Sequence, residues 1–166
     1  MTLLDRLDPL AEKIGAVNTI VNDKGVLTGY NTDATGFLQP LLEKGIELKD
    51  KHIAILGAGG ASRGISFILA ERGAKLTILN RNVERAEELT KQISRTTGKK
   101  AITSELNGVN LREVLEKTDI LVNATSVGMT PDSDETPVPA KLLRPGLVVY
   151  DIVYNPVKTR LLQEAE

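Results

Sequence analysis

Apolar residues along this chain follow two rhythms. Near the N-terminus Leu3, Leu7, Leu10 and Ile14 recur three or four apart, the stripe of one helix face. Asn18 to Tyr30 then reads as a hairpin: Thr19-Ile20-Val21 goes out, Asn22-Asp23-Lys24-Gly25 is turn chemistry, and Val26-Leu27-Thr28 returns. Thr35 to Lys44 carries Phe37, Leu38, Leu41 and Leu42 at helical spacing, and Gly45 is a good C-terminal stop. A helix, a hairpin and a helix bury little core alone. Residues 1–44 therefore read as the end of another domain plus a connecting helix.

From about residue 50 strands and helices alternate. Ile53–Leu56, Leu76–Leu79, Ala101–Thr103, Ile120–Asn123 and Leu147–Asp151 are candidate strands. The helix after the first strand sets Ile65, Ile68 and Leu69 on one face; the helix after the second does the same with Ala86, Leu89 and Ile93. Short apolar strands between amphipathic helices predict an α/β domain over 45–166, a parallel sheet covered on both sides. Right-handed crossovers make it doubly wound. Pro131 to Pro139 reads as a polar, proline-bearing loop.

Composition narrows the chemistry. The 166 residues are 41% hydrophobic and 26% charged, ordinary for a globular protein. A net charge of −1 gives no global field for nucleic acid or an anionic membrane, and Lys99-Lys100 is too short a basic run to change that. Without Cys, disulfides, thiolate catalysis and Cys-ligated metals are excluded, and no other metal site is expected. Neither a signal-like segment nor an 18-residue apolar run occurs, so the cytoplasm is the default location. The oligomeric state is left open. His52, the only histidine, precedes the first strand of the alternating part and is expected at the far end of the sheet from any ligand.

Gly57-Ala58-Gly59-Gly60-Ala61-Ser62-Arg63-Gly64 follows the first of those strands and opens a helix. A dinucleotide pyrophosphate needs backbone N–H groups at close range and the positive end of a helix. Gly57, Gly59 and Gly60 remove side chains that would hold it away, and Gly64 could let the helix pack against the strands. Ser62 stands where the third glycine of the usual spacing would be, and glycines also serve any tight strand-to-helix turn. The second strand ends in Asn80-Arg81-Asn82, with Arg85 a turn later and no Asp or Glu to hold a ribose 2′-hydroxyl. Guanidinium groups there suit a 2′-phosphate, so NADP is the better reading. Alternatively Asn80 or Asn82 caps the helix and the arginines are solvated. After the fourth strand, Thr125 and Ser126 either line the cofactor cleft or close a turn. After the fifth, Tyr154 either reaches a small-molecule substrate or packs.

Gly15-Ala16-Val17-Asn18-Thr19, Gly29-Tyr30-Asn31-Thr32-Asp33, Gly57 to Ala61, Asn80-Arg81 and Asn123-Ala124-Thr125-Ser126-Val127-Gly128-Met129 occur in that order. Together they resemble the shikimate dehydrogenase family from about residue 9 to the C-terminus. The resemblance implies a Rossmann-like fold and NADPH-dependent reduction of 3-dehydroshikimate to shikimate. It makes Asn18 and Asp33 substrate-binding, with Asp33 also half of a Lys–Asp catalytic pair. It sets Gly57, Ala58, Gly59, Gly60 and Ala61 on the pyrophosphate, and Asn80, Arg81, Asn82 and Arg85 around the 2′-phosphate. Ile152 then lies near the nicotinamide, Tyr154 near the substrate, and Thr125 and Ser126 in the cofactor cleft. The family's catalytic Lys and Ser-rich loop belong upstream of these motifs, with Met1 inside the last helix of the substrate domain. A substrate-binding Gln belongs beyond Glu166. The chain is thus expected to be the cofactor half of such an enzyme, with residues 1–44 a remnant of the substrate domain, and inactive alone. Alternatives are an NADP-binding module without chemistry, a quinate/shikimate dehydrogenase relative, and a glutamyl-tRNA reductase-like protein. The Asn18-Thr19 and Asn31-Thr32-Asp33 motifs weigh against the reductase. The lack of an acidic residue after Arg81 weighs against an NAD-preferring quinate enzyme.

Overall fold

A computed structural model describes residues 3–166. Five parallel strands form the main sheet: β4 (His52–Leu56), β5 (Lys75–Asn80), β6 (Ala101–Glu105), β7 (Ile120–Asn123) and β8 (Val148–Asp151), in spatial order β6-β5-β4-β7-β8. Alternation along each strand divides the core. Ile53, Ile55, Leu76, Ile78, Ile120 and Val122 face one side, under α2 (Asp33–Glu43), α3 (Gly60–Glu71) and α4 (Val83–Thr97). Ala54, Leu56, Leu79 and Leu121 face the other, under α5 (Gly108–Leu115), a 3₁₀ turn at Ala140–Leu142, and α6 (Arg160–Ala165). Helices on both faces make the sheet doubly wound, as the strand and helix periods predict. The strand order reverses between β4 and β7, which opens a crevice at their carboxyl ends.

The first residues depart from the expected stripe. Arg6–Leu7 is a short strand, β1, and the first helix, α1, covers only Pro9–Ile14. Asp8 accepts from the backbone N–H of Leu10 at 2.9 Å and of Ala11 at 3.4 Å, and Pro9 occupies the first helical position. Proline there restricts the residue before it to extended backbone, so Leu3 and Leu7 cannot belong to the same helix as Ile14. Leu3 is exposed. Met1 lies outside the described residues.

The hairpin forms as β2 (Thr19–Asp23) and β3 (Val26–Tyr30), with β1 parallel to β3 on its other edge. Its loop is Lys24-Gly25, both with positive φ, the two-residue turn that suits the strand twist. A Cβ on Gly29 would come within 2.6 Å of the Leu4 side chain and 2.9 Å of Val17, so the bare glycine leaves these side chains room to pack against β3. Helix α2 begins at Asp33 rather than Thr35. Its residues Ala34, Phe37, Leu38 and Leu41 share one core with Ile65, Ile68 and Leu69 of α3. Gly64 serves that contact: a Cβ there would stand 3.3 Å from the Asn31 side chain and 3.7 Å from Ala34. It brings α3 against α2, not against the strands as expected. Helix α5 was not marked by the apolar pattern. Asn107 caps it, accepting from the N–H of Val109 at 3.1 Å and Asn110 at 2.9 Å. Among the described residues no helix is long and apolar enough to cross a membrane.

Candidate functional site

The crevice at the carboxyl end of β4 starts with a backbone constraint. Gly57 has φ +101, and a Cβ on it would lie 2.7 Å from the carbonyl oxygen of Ala124. Only glycine fits there. Gly59 and Gly60 are different: nothing lies within 4 Å of a Cβ built on either. Gly59 is the N-cap of α3 in extended conformation, so the open space, not the backbone angle, is what a bare glycine preserves. Ser62 replaces the third glycine without loss. Its buried hydroxyl donates to the Gly57 carbonyl at 2.7 Å and closes the turn from inside.

Beside this turn lies a hollow of about 330 Å³, lined by Ala58, Gly59, Gly60, Arg63, Arg85 and Glu88, with Gly15 and Ala16 from the end of α1. Asn82 is the N-cap of α4 and accepts from the Arg85 N–H at 2.9 Å. Asn80 donates to the Asn82 carbonyl at 2.8 Å. Asn82 therefore has the capping role weighed above, which leaves its amide nitrogen for other contacts, and Asn80 braces the β5–α4 turn. Arg81 is exposed at the same turn. Among the described residues, Arg63, Arg81 and Arg85 make no ion pair. Arg63 and the Gly15-Ala16 segment were not among the sequence candidates, although Arg63 stands directly after Ser62 in the glycine turn.

A second cavity, about 520 Å³, lies between the start of α2 and the end of β8. It brings Asp33 together with Ala61, Ile152 and Tyr154. Phe37 and Tyr150 form its floor, ring centroids 4.5 Å apart and tilted by 51°. Burial pushes the Tyr150 hydroxyl pKa up. Tyr154 is 84% exposed, so its ring does not pack. Asp33 is exposed as the first residue of α2, and no lysine lines the cavity. Asn18 does not line it. Asn18 accepts from the Thr32 N–H at 3.0 Å and donates to the Thr32 hydroxyl at 3.1 Å, which fixes the residue before Asp33. Asn31 is buried, donates to the Ala16 carbonyl at 3.2 Å and accepts from the Ala34 N–H at 3.2 Å, so it starts α2 in place of Thr32.

One buried cluster ties the loops after β7 and β8. Asn123 donates to Asp151 at 3.0 Å and to the Val127 carbonyl at 3.2 Å, and accepts from the Thr125 N–H and hydroxyl at 3.1 and 2.7 Å. Asp151 also accepts from the Val153 N–H at 3.0 Å and the Thr159 hydroxyl at 2.7 Å. Burial raises the Asp151 carboxyl pKa, and these hydrogen bonds oppose the rise. Thr125 is thus bound into its own turn, while Ser126 is exposed on it. His52 begins β4, at the opposite end of the sheet from the crevice, with its backbone N–H on Asp119 at 2.9 Å. A further hollow, about 620 Å³, lies beside α6 and contains none of these residues. Its Arg160 is already engaged, by Glu164 and the Asp134 carbonyl, each at 2.8 Å. Among the described residues no group of three acidic or imidazole side chains is placed to hold a metal.

A model of the shikimate / quinate 5-dehydrogenase family matches residues 40–134, more than half of the chain. The chain belongs to that family. Shikimate dehydrogenase (NADP(+)) of Methanosarcina acetivorans is 47% identical over 165 residues, 97% of this chain and 58% of the relative. A crystal structure of shikimate 5-dehydrogenase from Listeria monocytogenes, in complex with shikimate and NAD, superposes with a TM-score of 0.88 at 44% identity. It is covered to 59%, and this chain to 99%. A shikimate dehydrogenase structure in complex with NADP+ gives a TM-score of 0.91, also at 44% identity, over 99% of this chain and 57% of the other. The chain therefore spans a little under three fifths of these shikimate dehydrogenases.

Proposed function

We propose that this chain is the NADP-binding part of a cytoplasmic shikimate dehydrogenase, the enzyme that interconverts 3-dehydroshikimate and shikimate. Residues 45–166 form the cofactor domain, and residues 1–44 belong to the substrate side. The observation that carries the reading is the end of β5. Asn80-Arg81-Asn82, the strand end itself, carries no carboxylate; Arg81 and Arg85 stand there, with Glu84 in the first turn of α4, beside a glycine turn with open space over Gly59 and Gly60. That surface fits a dinucleotide bearing a third phosphate, whose charge a carboxylate would repel.

Bound NADPH supplies the hydride. The chain's own residues do the rest that this part can do. Gly57 to Ala61 present backbone to the pyrophosphate, and Ile152 covers one face of the cleft. Asp33 and Tyr154 face the substrate from two sides of the 520 Å³ cavity. Asn18 holds the loop ahead of Asp33. Ketone reduction also needs a proton at the developing alkoxide, and an ionised Asp33 is a poor donor. A lysine beside it would supply that proton, and Asp33 would keep the ammonium charged and oriented. Since no lysine lines the cavity, the 166 residues are expected to bind cofactor without turning over shikimate. The same observation favours the second reading, a binding module without chemistry of its own.

Titration of the chain with NADPH and NADH tests the proposal. Tighter NADPH binding is expected; equal or tighter NADH binding overturns the cofactor assignment. In the same sample, NADPH formation from shikimate and NADP should stay at background. Robust turnover would mean that Asp33 works with a partner inside these residues.

A further inference from the structure

We infer that Arg63 is a cofactor-binding residue that grips the pyrophosphate, in a division of labour with Arg81 and Arg85 on the 2′-phosphate. The inference rests on the NADP reading above. Arg63 sits one turn into α3, its backbone N–H bonded to the Gly59 carbonyl at 3.1 Å. Its half-buried side chain turns toward the end of α1, where Nη1 lies 3.8 Å from a Cβ placed on Gly15. The guanidinium thus lines the hollow shared with Gly59, Gly60 and Arg85, without a carboxylate partner among the described residues. Glu88 is the one acidic side chain in that lining; against Arg63 and Arg85 it leaves a net charge of +1 facing the cavity.

The two arginines approach from different elements. Arg63 belongs to the helix whose N-terminus, at Gly60, meets the pyrophosphate in the proposed pose. Arg85 belongs to α4, which follows the strand that ends at the ribose. A side chain on α3 therefore serves a group that NAD and NADP have in common, whereas α4 serves the phosphate that only NADP carries. Gly15 contributes space as well as its positive φ of 71. A Cβ there would also approach Gln92 Nε2 to 3.2 Å, and that amide donates to the Ile14 carbonyl at 3.1 Å, holding α1 against α4 on the far side of Arg63.

The test measures the affinities of NADPH, NADH and adenosine 2′-monophosphate, which lacks the pyrophosphate, for the wild-type chain and the variants Arg63→Met, Arg63→Lys and Arg85→Met. Arg63→Met should weaken NADPH and NADH by the same factor, about 10-fold for a lost charge-assisted contact, and leave adenosine 2′-monophosphate unchanged. That unchanged affinity also reports that the variant is folded. Arg63→Lys keeps the charge without the fork and should lose less than Arg63→Met, again equally for both dinucleotides. Arg85→Met should weaken NADPH and adenosine 2′-monophosphate and spare NADH. If Arg63→Met weakens NADPH alone, or neither dinucleotide, the assignment is wrong. A wild-type chain that binds no dinucleotide overturns the NADP reading itself. Should Arg63→Met fail to fold, an Arg63→Lys variant with wild-type affinity for both dinucleotides overturns the inference.

Discussion

At the glycine end of the cleft, side chains bonded within the chain shape the turn and the loops behind it. The Gly57 carbonyl takes the Ser62 hydroxyl, Asn82 caps α4, and the Asn123–Asp151–Thr159 cluster fastens the loops behind it. What faces the hollow is glycine and alanine backbone, Arg63, Arg85 and Glu88. The Asp33 end reverses this. Asp33 and Tyr154 are exposed, and Asn18 and Asn31 hold the backbone on either side of Asp33 through Thr32 and Ala34. A surface of fixed backbone binds a ligand with little ordering cost, whereas exposed side chains gain precision only when something closes over them. The difference lies in preorganisation: the glycine turn is fixed by its own fold, whereas Asp33 and Tyr154 stand in solvent.

Two glycines break the first half of the comparison most sharply. Gly57→Val should destabilise the fold by about 3 kcal/mol, because the branched residue meets both a left-handed φ and the Ala124 carbonyl. Gly59→Val should leave the melting temperature nearly unchanged, since its backbone is extended and its Cβ meets nothing, yet abolish dinucleotide binding. Thermal unfolding and a cofactor titration on both variants check the contrast; loss of stability in Gly59→Val would mean that the turn is structural throughout.

The half-buried carboxylate of Asp151 comes next. Asp151→Ala leaves donors of Asn123, Val153 and Thr159 short of an acceptor and should cost about 2 kcal/mol in denaturant unfolding. Its pH dependence has a definite sign. The folded carboxyl titrates above its ordinary value of 3.8, so in that window the folded chain holds more protons than the unfolded one. The contribution of Asp151 to stability should therefore fall as pH rises from 3.8 through the folded pKa, then level off. Asp151→Asn should remove that part of the profile.

Arg81→Ala should weaken NADPH by about 1.5–3 kcal/mol, the range for a hydrogen bond to a charged group, and hardly change NADH; calorimetry with each cofactor reads the difference. The smallest effect is expected at the other end. Asp33→Asn removes an exposed side chain without a partner among the described residues, so stability should change by no more than about 0.5 kcal/mol, and NADPH affinity should hold. A large loss of stability would show that Asp33 is already part of a closed structure.

The five strands and the first two sheet helices were legible because their signal is local. An alternating strand and a 3.6-residue stripe are periods that a short window contains. The N-terminal stripe misled because Leu3 and Leu7 fit a helix by spacing alone, while Asp8-Pro9 already marked where the helix starts. Helix α5 was missed for the opposite reason: its cap, Asn107, is clear, but its buried face is only Leu111 and Leu115.

By itself the sequence determined the strands, the glycine turn after the first of them, and the absence of a carboxylate at the end of β5 itself, since each follows from neighbours along the chain; that Gly57 is the glycine the backbone needs came from Ala124 across the fold. Only the tertiary structure decided which polar residues are free to act. Asn123 and Thr125 have the chemistry to meet a ligand, yet their hydrogen-bonding groups are turned onto their own loops, whereas Asn80 and Asn82 each commit one group to the β5–α4 turn. Arg63, reading as one more residue of an amphipathic helix, turns toward the hollow. Whether a donor is spent or spare depends on partners distant along the chain, 28 residues apart for Asn123 and Asp151 and 78 for Gln92 and Ile14, and no periodicity carries such distances.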